Sequence, residues 1–381
     1  MVLLLELMIL LVIRSPCSFI QYHIKNNWIL LIPMNYVNRL CKLREKLSSL
    51  PCDVILIEHP THILYLTGLE LSAGKILVSE NQTCLIVDGR YFEICNQQTL
   101  YPVILFHESS LTNWLKEYQL KNLGIDPETT TFERYSFLSS SLSSCAIIPI
   151  PSPLQEMRLI KDQQEIIYLK ESAKLALEGY HYLKTLLQVG VTEAELAFEL
   201  EFFWKKKGAK QLAFDPIIAF GFNSSKPHYR ADKEILQANM PVLIDIGVVV
   251  HHYHSDMTRV DFFGNVSEQI QSIYSIVEEA KHQAMHLCKP GTLIGELDNT
   301  ARSFIASKGY GDYFTHSLGH GVGLDIHESP TIRRSGPYSD YPLQAGMVIT
   351  IEPGIYLKGV GGVRLEDTLL ITETGYEILT Q

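Results

Sequence analysis

The sequence of 381 residues lacks closely spaced cysteine pairs and an excess of basic residues. Its seven cysteines are scattered without a CxxC motif, which excludes a zinc ribbon and a disulfide framework and predicts reduced thiols in a cytoplasmic protein. The 32 lysines and arginines stand against 42 acidic residues, and the formal net charge is −10. This balance argues against nucleic acid or an anionic membrane as a partner.

Tandem repeats and low-complexity tracts are also lacking, which excludes repeat and solenoid architectures. What the chain does have is apolar content, with 46% hydrophobic residues and 19% charged residues. A chain of this length and composition can bury more than one core, so we expect two domains.

The most apolar stretch, "MVLLLELMILLVI" (1–13), opens the chain. It is too short to span a bilayer, has no basic residues before it and carries Glu6 within it, so it does not fit a signal peptide. We therefore predict that residues 1–33 are an apolar leader outside the fold and that translation starts at Met34. A leader that associates with a membrane is the alternative.

Two kinds of pattern follow the leader. Residues 34–150 alternate short β-rich runs with helical segments and predict a smaller α/β domain. The prolines of "IIPIPSPL" (147–154) predict a linker. Residues 151–381 predict an α+β domain in which amphipathic helices pack on an antiparallel sheet. Thr192 and Glu195 have the spacing of a capping box at the start of one of these helices.

Two aspartates interrupt an apolar hairpin, "VLIDIGVVVHHYHSDMTR" (242–259). Aspartate is a poor strand former, and burying a carboxylate among Val, Leu and Ile costs free energy. If the hairpin turns at Val250–His251, Asp245 and Asp256 face each other with Cβ atoms about 4.5–5.5 Å apart. Like charges at this distance are tolerated if they share a proton or bind a cation.

A second apolar hairpin, "VITIEPGIYLKGVGGVRLEDTLLIT" (348–372), repeats the anomaly. A turn centred on Gly359 places Glu352 opposite Glu366. Four carboxylates in two hairpins exceed what one shared proton can relieve, so bound metal is the better explanation.

A nitrogen ligand lies between the hairpins in "SLGHGVG" (317–323), where glycines around His320 allow the backbone to approach closely. Four carboxylates carry a formal charge of −4, which two divalent cations would balance. An oxygen-rich site with one imidazole suits Mn²⁺, with Zn²⁺, Co²⁺ or Fe²⁺ as alternatives. Two such ions about 3.5 Å apart would activate a hydroxide and polarise a carbonyl group.

Each of these residues has an ordinary structural interpretation when it is taken singly, as an edge aspartate or a hydrogen-bonded loop histidine. "GHGVG" resembles a dinucleotide fingerprint, but the βαβ context is lacking. The segment "HHYH" (251–254) lies at the predicted turn, and we interpret it as solvent-facing rather than as a metal cluster.

Taken together, the segments "IDIG", "HSDMTR", "SLGHGVG", "TIEPGIY" and "RLEDT" resemble, in order, the ligand motifs of the pita-bread metallopeptidases, specifically the aminopeptidase P and prolidase branch. The resemblance is firm over about residues 155–381 and looser before them. It implies a pita-bread catalytic domain behind a creatinase-like N-terminal domain. The metal ligands that it implies are Asp245, Asp256, His320, Glu352 and Glu366.

In this family the ligand that matches Asp245 holds one ion. His320 and Glu352 would hold the other ion, and the remaining two carboxylates would bridge both. The catalytic residues that the resemblance implies are His228, His316, His327, Glu352 and Arg364. The histidines would bind substrate or shuttle protons, whereas Arg364 and Tyr356 match positions near the metal ions.

The resemblance implies an exopeptidase that acts on proline-containing peptides and can form a homodimer. The cysteine pattern and the net charge add that it is cytoplasmic and has neither nucleic acid nor membrane as a partner. "PHYR" (227–230) favours an Xaa-Pro aminopeptidase, which is the activity that we predict. The compact chain favours an Xaa-Pro dipeptidase, or prolidase, which is the alternative. Methionine aminopeptidase, a catalytically dead binding module and a creatinase-type C–N hydrolase are more remote alternatives.

Overall fold

A computed structural model of the chain describes residues 34–381 and, before them, the paired strands β1 (His23–Lys25) and β2 (Trp28–Leu30). The predicted leader therefore lies largely outside the described residues. No helix in the described part is long and apolar enough to cross a membrane. The chain divides into two compact units between Leu154 and Gln155. The predicted domain bounds stay a prediction.

Within its described residues, the first unit contains one six-stranded sheet and five helices besides the β1–β2 pair. The strands of the six-stranded sheet are β3 (Val54–Ile57), β4 (Lys75–Ser79), β5 (Thr83–Val87), β6 (Val103–Leu105), β7 (Asn122–Ile125) and β8 (Ala146–Pro149). Its helices are α1 (Met34–Leu47), α2 (Pro60–Thr67), α3 (Phe92–Gln98), α4 (Ser110–Glu117) and α5 (Phe132–Ser141).

The sheet of the first unit has the strand order β6-β5-β4-β3-β7-β8, with β4 antiparallel to both neighbours and the other pairs parallel. The predicted α/β character is confirmed. Two local predictions differ from the structure. Helix α2 was missed, although Pro60 stands at its start, where a missing N–H costs nothing. The predicted linker is partly strand, since Pro149 ends β8 at the sheet edge, where proline is tolerated.

The second unit begins within α6 (Pro153–Leu159) and contains four longer helices and thirteen strands. The helices are α7 (Gln163–Leu186), α8 (Glu193–Lys206), α9 (Glu268–His286) and α10 (Ile294–Ser307). The strands are β9 (Gln211–Leu212), β10 (Ile217–Phe220), β11 (Met240–Ile246), β12 (Val248–Val250), β13 (Tyr253–His254), β14 (Met257–Phe263), β15 (Gly319–Gly321), β16 (Glu328–Ile332), β17 (Val348–Ile351), β18 (Gly354–Leu357), β19 (Gly361–Arg364), β20 (Asp367–Ile371) and β21 (Tyr376–Ile378).

All strand pairs of the second unit are antiparallel, in the orders β10-β11-β14, β13-β12-β9, β16-β15-β17-β20-β21 and β18-β19. The α+β class is confirmed. The capping box is confirmed too, because the Thr192 hydroxyl accepts from the Glu195 N–H and the Glu195 carboxylate accepts from the Thr192 N–H.

Two apolar cores hold these strands in place. Helices α7 and α8 pack against β10 and β11 through buried residues that include Ala176, Leu200, Ile218, Val242 and Ile244. Helices α9 and α10 pack against the strands around the second hairpin through Val277, Leu297, Ile349, Ile355 and Leu369. The two hairpins that carry the four carboxylates therefore rest on packed helices, which gives the site rigid support.

Candidate metal centre and active site

The hairpin with two aspartates turns one residue later than predicted. His251 and His252 form the turn, with φ of 50° and 69°. Asp245 consequently stands opposite Thr258 and not opposite Asp256. The predicted direct pairing of the aspartates was wrong, because a two-residue turn with positive φ at both positions best matches the twist of a hairpin.

Asp256 lies at an interruption of the ladder, just before β14. On the opposite strand, a Cβ added to Gly247 would lie 2.1 Å from the carbonyl oxygen of Ser255, so only glycine permits this close approach. Asp256 leaves the regular strand here, and its side chain lines the cavity described below with the residue only 5% exposed. Because of this interruption, the Asp256 side chain does not follow the regular alternation of side chains along the strand.

The second hairpin has the predicted register. The β17–β20 and β18–β19 ladders share one alignment, with Gly359 at the turn, and Glu352 and Glu366 occupy the gap between the two ladders. In this gap the backbone N–H groups of both glutamates donate to residues outside the hairpin. Glu352 N–H donates to the Leu318 carbonyl at 2.8 Å, and Glu366 N–H donates to the Thr258 carbonyl at 3.1 Å. The second of these bonds ties the two hairpins together.

His320 lies on β15 between two glycines that admit neighbouring backbone. A Cβ on Gly319 would lie 2.1 Å from the Thr350 carbonyl oxygen, and a Cβ on Gly321 would lie 2.3 Å from the Ser329 carbonyl oxygen. The prediction that these glycines allow close backbone approach is confirmed. His320 is thereby pressed into the sheet beside the second hairpin.

The imidazole of His320 presents one nitrogen to the carboxylates. Its Nδ1 donates to the Gly321 carbonyl at 3.0 Å, which leaves Nε2 free of a proton in the neutral ring. Nε2 lies 3.5 Å from Asp256 Oδ2 and 3.4 Å from Glu352 Oε1. Three potential ligand atoms lie within 4.8 Å of one another, one each from Asp256, His320 and Glu366. This spacing is close enough for the three residues to share an ion.

Two buried oxygen atoms of this cluster have no hydrogen-bond partner among the described residues. They are Asp245 Oδ1 and Glu366 Oε1. The other oxygen of Asp245 accepts from Arg364, and the other oxygen of Glu366 accepts from the Thr258 hydroxyl at 2.8 Å. Buried carboxylate oxygens are rarely left unpartnered. These two unpartnered oxygen atoms, together with the other carboxylates and the imidazole of the cluster, form a donor set that fits divalent cations.

The electrostatics of the cluster also favour cations. Burial, followed by repulsion from the neighbouring carboxylates, raises the pKa of Asp256 and of Glu352 well above the ordinary range. Burial and then Asp245 raise the pKa of Glu366 to about 8. Burial lowers the pKa of His320 to about 3, so its ring is neutral at physiological pH. In the absence of metal, protons must therefore neutralise part of the cluster.

One cavity of about 560 Å³ brings the predicted residues together. Its lining includes all five predicted metal ligands, the three predicted histidines His228, His316 and His327, and Arg364. Arg364 is only 4% exposed, and it donates to Asp245, to Thr258 Oγ1 at 3.2 Å and to Tyr356 Oη at 2.8 Å. Arg364 thus places a buried cation beside the carboxylates.

The three histidines differ in their surroundings. His316 is half-buried, with Nδ1 donating to the Ser317 carbonyl at 2.8 Å and Nε2 lying 2.8 Å from Tyr356 Oη. Burial, and then the charge of Arg364, lower the pKa of His316 to about 4. His327 and His228 are exposed at the cavity, and the His327 ring lies 4.3 Å from that of His320, edge to face. A neutral His316 and two exposed imidazoles therefore surround the carboxylate cluster.

The structure also places the "PHYR" and "HHYH" segments. The "PHYR" segment lines the cavity, whereas Phe220, upstream of it, is buried in the core and Phe222 is exposed outside the cavity lining. In "HHYH", His251 is exposed as expected, but Tyr253 is buried and His254 N–H donates to the Gly323 carbonyl at 2.9 Å. Only the turn itself faces solvent.

Sequence reasoning missed residues that hold the site without lining it. Glu193 is fully buried and accepts from Phe220 N–H, Asn223 Nδ2, Tyr229 Oη and Asp232 N–H. It thereby fixes the loop that carries His228. Asp298 is equally buried within α10. Both residues stand in helical stretches where an acidic residue is ordinary, so the sequence offers no signal for their role.

The comparisons with known proteins agree with this geometry. Residues 168–373 match the family model of metallopeptidase family M24, and residues 39–160 match that of the creatinase/prolidase N-terminal domain. An Xaa-Pro dipeptidase of Pyrococcus horikoshii is 36% identical over 345 residues, which cover 89% of this chain and 96% of that protein.

Solved structures give the same result. An Xaa-Pro dipeptidase from Bacillus anthracis superposes with a TM-score of 0.87 at 34% identity and covers 91% of this chain and 98% of that one. An X-Pro aminopeptidase from Thermotoga maritima superposes with a TM-score of 0.81 at 33% identity and covers 89% and 97%. A buried carboxylate–histidine cluster on this fold defines a metal-dependent hydrolase. The chain belongs to metallopeptidase family M24 and has the pita-bread fold that its sequence predicted.

Proposed function

We propose that the protein hydrolyses Xaa-Pro bonds at the N-termini of peptides in the cytoplasm. The observation that carries the proposal is the single cavity in which a buried carboxylate–histidine cluster meets Arg364 and three histidines. Similarity to Xaa-Pro dipeptidases and to an X-Pro aminopeptidase supports the substrate class. The family resemblance also implies a homodimer, which light scattering after size-exclusion chromatography tests.

The residues present would hold two divalent cations. Asp245 would bind one, His320 and Glu352 the other, and Asp256 and Glu366 both. Carboxylate oxygens with one imidazole favour Mn²⁺, with Co²⁺, Zn²⁺ or Fe²⁺ as alternatives. Such cations lower the pKa of bound water and polarise the carbonyl of the scissile bond.

The chain supplies orientation and charge around that centre. Arg364 holds Asp245 and also donates to Tyr356 Oη, and Tyr356 in turn lies in hydrogen-bond range of His316 Nε2. His316 is neutral, and its Nδ1 is bonded to the Ser317 carbonyl, so its Nε2 can contact the reacting peptide by exchanging Tyr356 Oη for it. His228 and His327 are exposed at the cavity, where they can contact the peptide and accept or donate a proton.

Proline selectivity follows from the chemistry of the bond. An Xaa-Pro amide has no N–H, so its recognition requires an apolar pocket for the ring and no acceptor at that nitrogen. Phe214, Ile217, Pro227, Tyr229 and Ile326 supply apolar wall to the cavity. We expect that replacing proline by alanine at the second position lowers kcat/KM at least about 100-fold, or about 2.7 kcal/mol. Equal cleavage of Met-Ala-Ser would favour a methionine aminopeptidase.

Substrate length separates the two closest candidates. The "PHYR" segment favoured an aminopeptidase that acts on longer peptides, and the Xaa-Pro dipeptidases among the relatives favour dipeptides. The position of Arg230 favours the dipeptidase. Arg230 lines the cavity, is exposed, and has no ion pair within the described residues. Such a cation can receive a free substrate carboxylate.

A panel of Arg-Pro, Arg-Pro amide and Arg-Pro-Pro with Mn²⁺ decides between the two. Preference for Arg-Pro-Pro supports the aminopeptidase. Preference for Arg-Pro over its amide supports the dipeptidase, and Arg230→Ala should then remove that preference, whereas the matched variant Arg333→Ala, outside the cavity lining, should keep it. No turnover of any of the three would contradict the proposed function.

A further inference from the structure

Arg302, on α10, holds the backbone of the segment that carries His316. Its Nη1 donates to the Phe314 carbonyl at 2.8 Å, and its Nη2 donates to the His316 carbonyl at 2.7 Å. Arg302 is not one of the residues that line the cavity, so any effect on the site must pass through the residues that it contacts. The planar guanidinium of Arg302 thereby fixes the carbonyl groups of Phe314 and His316, which are two positions apart in the sequence.

Asp298 anchors the same guanidinium. It is fully buried one helical turn before Arg302 and accepts from Arg302 Nη2 at 2.8 Å and Nε at 3.2 Å. Its two oxygens also accept the N–H groups of Leu318 at 3.1 Å and of Arg334 at 3.0 Å. The Asp298–Arg302 pair therefore fixes both ends of the segment from Phe314 to Leu318.

The pair reaches the His316 ring through an aromatic contact. The Arg302 guanidinium lies 4.1 Å from the centre of the Phe314 ring, and that ring meets the His316 ring edge-on at 5.2 Å and 88°. The His316 ring also contacts Tyr356 through Nε2, and its Nδ1 donates to the Ser317 carbonyl. A loss of the Arg302 contacts would release the ring from the support that Phe314 provides.

We propose that Arg302, anchored by Asp298, is a positioning residue that sets the orientation of His316 at the cavity and acts on turnover only through His316. The inference rests on the proposed function to the extent that His316 must take part in peptide hydrolysis. Reacting groups misplaced by about 1 Å can lose as much as 100-fold in rate, so a remote support can have a large kinetic effect.

A double-mutant cycle tests this role with the full-length, Mn²⁺-loaded protein and Arg-Pro or Arg-Pro-Pro, whichever is cleaved better. We expect Arg302→Met to lower kcat about 10-fold or more while KM changes less than about 3-fold and bound metal is unchanged. Arg302→Lys should recover only part of the rate, since an ammonium group cannot make both carbonyl contacts in the same fork. The exposed Arg333→Met is the matched control.

In the His316→Ala background, Arg302→Met should lower kcat by less than about 2-fold, because the group it positions is already missing. Full multiplication of the two effects would overturn the inference, as would wild-type kcat in both Arg302 variants. If Arg302→Met does not fold, the cycle is run with Arg302→Lys under the same criteria. Wild-type kcat in His316→Ala alone would instead contradict the proposed role of His316.

Discussion

The Thr258 hydroxyl donates to Glu366 Oε2 at 2.8 Å across 108 positions of sequence. The same threonine stands opposite Asp245 in the β11–β14 ladder, and its carbonyl accepts the Glu366 N–H. Thr258 therefore holds one oxygen of Glu366 in place and leaves the other, Oε1, buried and unpartnered. This arrangement aims a carboxylate oxygen at the candidate metal centre.

Neutralising either carboxylate proposed to bridge the ions should nearly abolish turnover while the fold persists. Glu366→Gln and Asp256→Asn keep the side-chain shape but remove one negative charge, so two dications are no longer balanced. We expect kcat/KM to fall at least about 1000-fold, as measured with an Xaa-Pro peptide alongside circular dichroism. Glu377→Gln, in an exposed ion pair, is the control. Near-normal activity of either bridging variant in Mn²⁺ would refute the two-ion centre.

Removal of metal should make stability depend on pH. Glu366 has a pKa raised from 4.5 to about 8 in the metal-free fold. A group whose pKa is raised on folding contributes stability that is fully present below its unfolded pKa and is lost as pH rises through its folded pKa. The Tm of EDTA-treated protein should therefore fall between pH 6 and pH 9, and the Tm gap to Mn²⁺-loaded protein should widen.

The Glu366→Gln variant should show a shallower fall in metal-free Tm over that range, because it lacks the proton that Glu366 must release. A metal-free Tm that stays constant from pH 6 to pH 9 would show that the carboxylates are not neutralised by protons.

The three histidines proposed for the substrate site should be separable by mutation from the proposed metal ligands. We expect His228→Ala, His316→Ala and His327→Ala each to lower kcat about 100- to 1000-fold, since positioned acid–base or hydrogen-bonding groups contribute on that scale. Bound metal, measured by mass spectrometry, should stay at the wild-type level. His251→Ala, at the exposed hairpin turn, should leave kcat unchanged. Loss of metal from any of the three would make that histidine a ligand.

A buried ion cluster next to His327 should be important for stability. The Glu328 side chain, 6% exposed, accepts from Arg158 and from Lys161 at 2.8 Å. Glu328→Gln leaves two buried cations short of a counter-charge, so we expect the free energy of unfolding to fall by about 3 kcal/mol at pH 7. Urea denaturation measures the loss, and Glu377→Gln should change it by less than about 1 kcal/mol.

The effect of Glu328→Gln should also fade at low pH. Despite the cost of burial, Lys161 and Arg158 lower the pKa of Glu328 from 4.5 to about 2. A depressed folded pKa gives stability that is present above the unfolded pKa and is lost as pH falls towards the folded pKa. The difference between wild type and variant should shrink below about pH 4.5. An unchanged difference at pH 3.5 would contradict the assignment.

The sequence predicts the site better than it predicts the contacts that shape it. Glu352 and Glu366 were correctly aligned because a short Gly-rich turn determines the register of both flanking ladders. Asp245 and Asp256 were misaligned because the turn residues are histidines, whose positive φ is unusual and leaves no clear signal. A shift of one residue at the turn moves every cross-strand pair.

The supports of the site were not predictable. Thr258, Arg302 and Glu193 act through partners that lie far away in sequence or that belong to the backbone, and single-sequence patterns report only local periodicity. Helix α2 was missed for a related reason, since eight residues give too short a window for helical spacing to emerge. The long helix α7 shows the opposite case, since its 24 residues give helical spacing enough length to emerge among the amphipathic helices predicted for residues 151–381.

The long sequence separations within the site determine when a nascent chain can bind metal. Thr258 and Glu366 are 108 positions apart, and Asp245 and Arg364 are 119 positions apart. During synthesis the first hairpin emerges well before its partners, and closing such long loops costs entropy before any contact compensates for it. An ion that meets the growing chain finds at most two of the four carboxylates, so we expect the proposed centre to be loaded only after the final hairpin has been made and has docked.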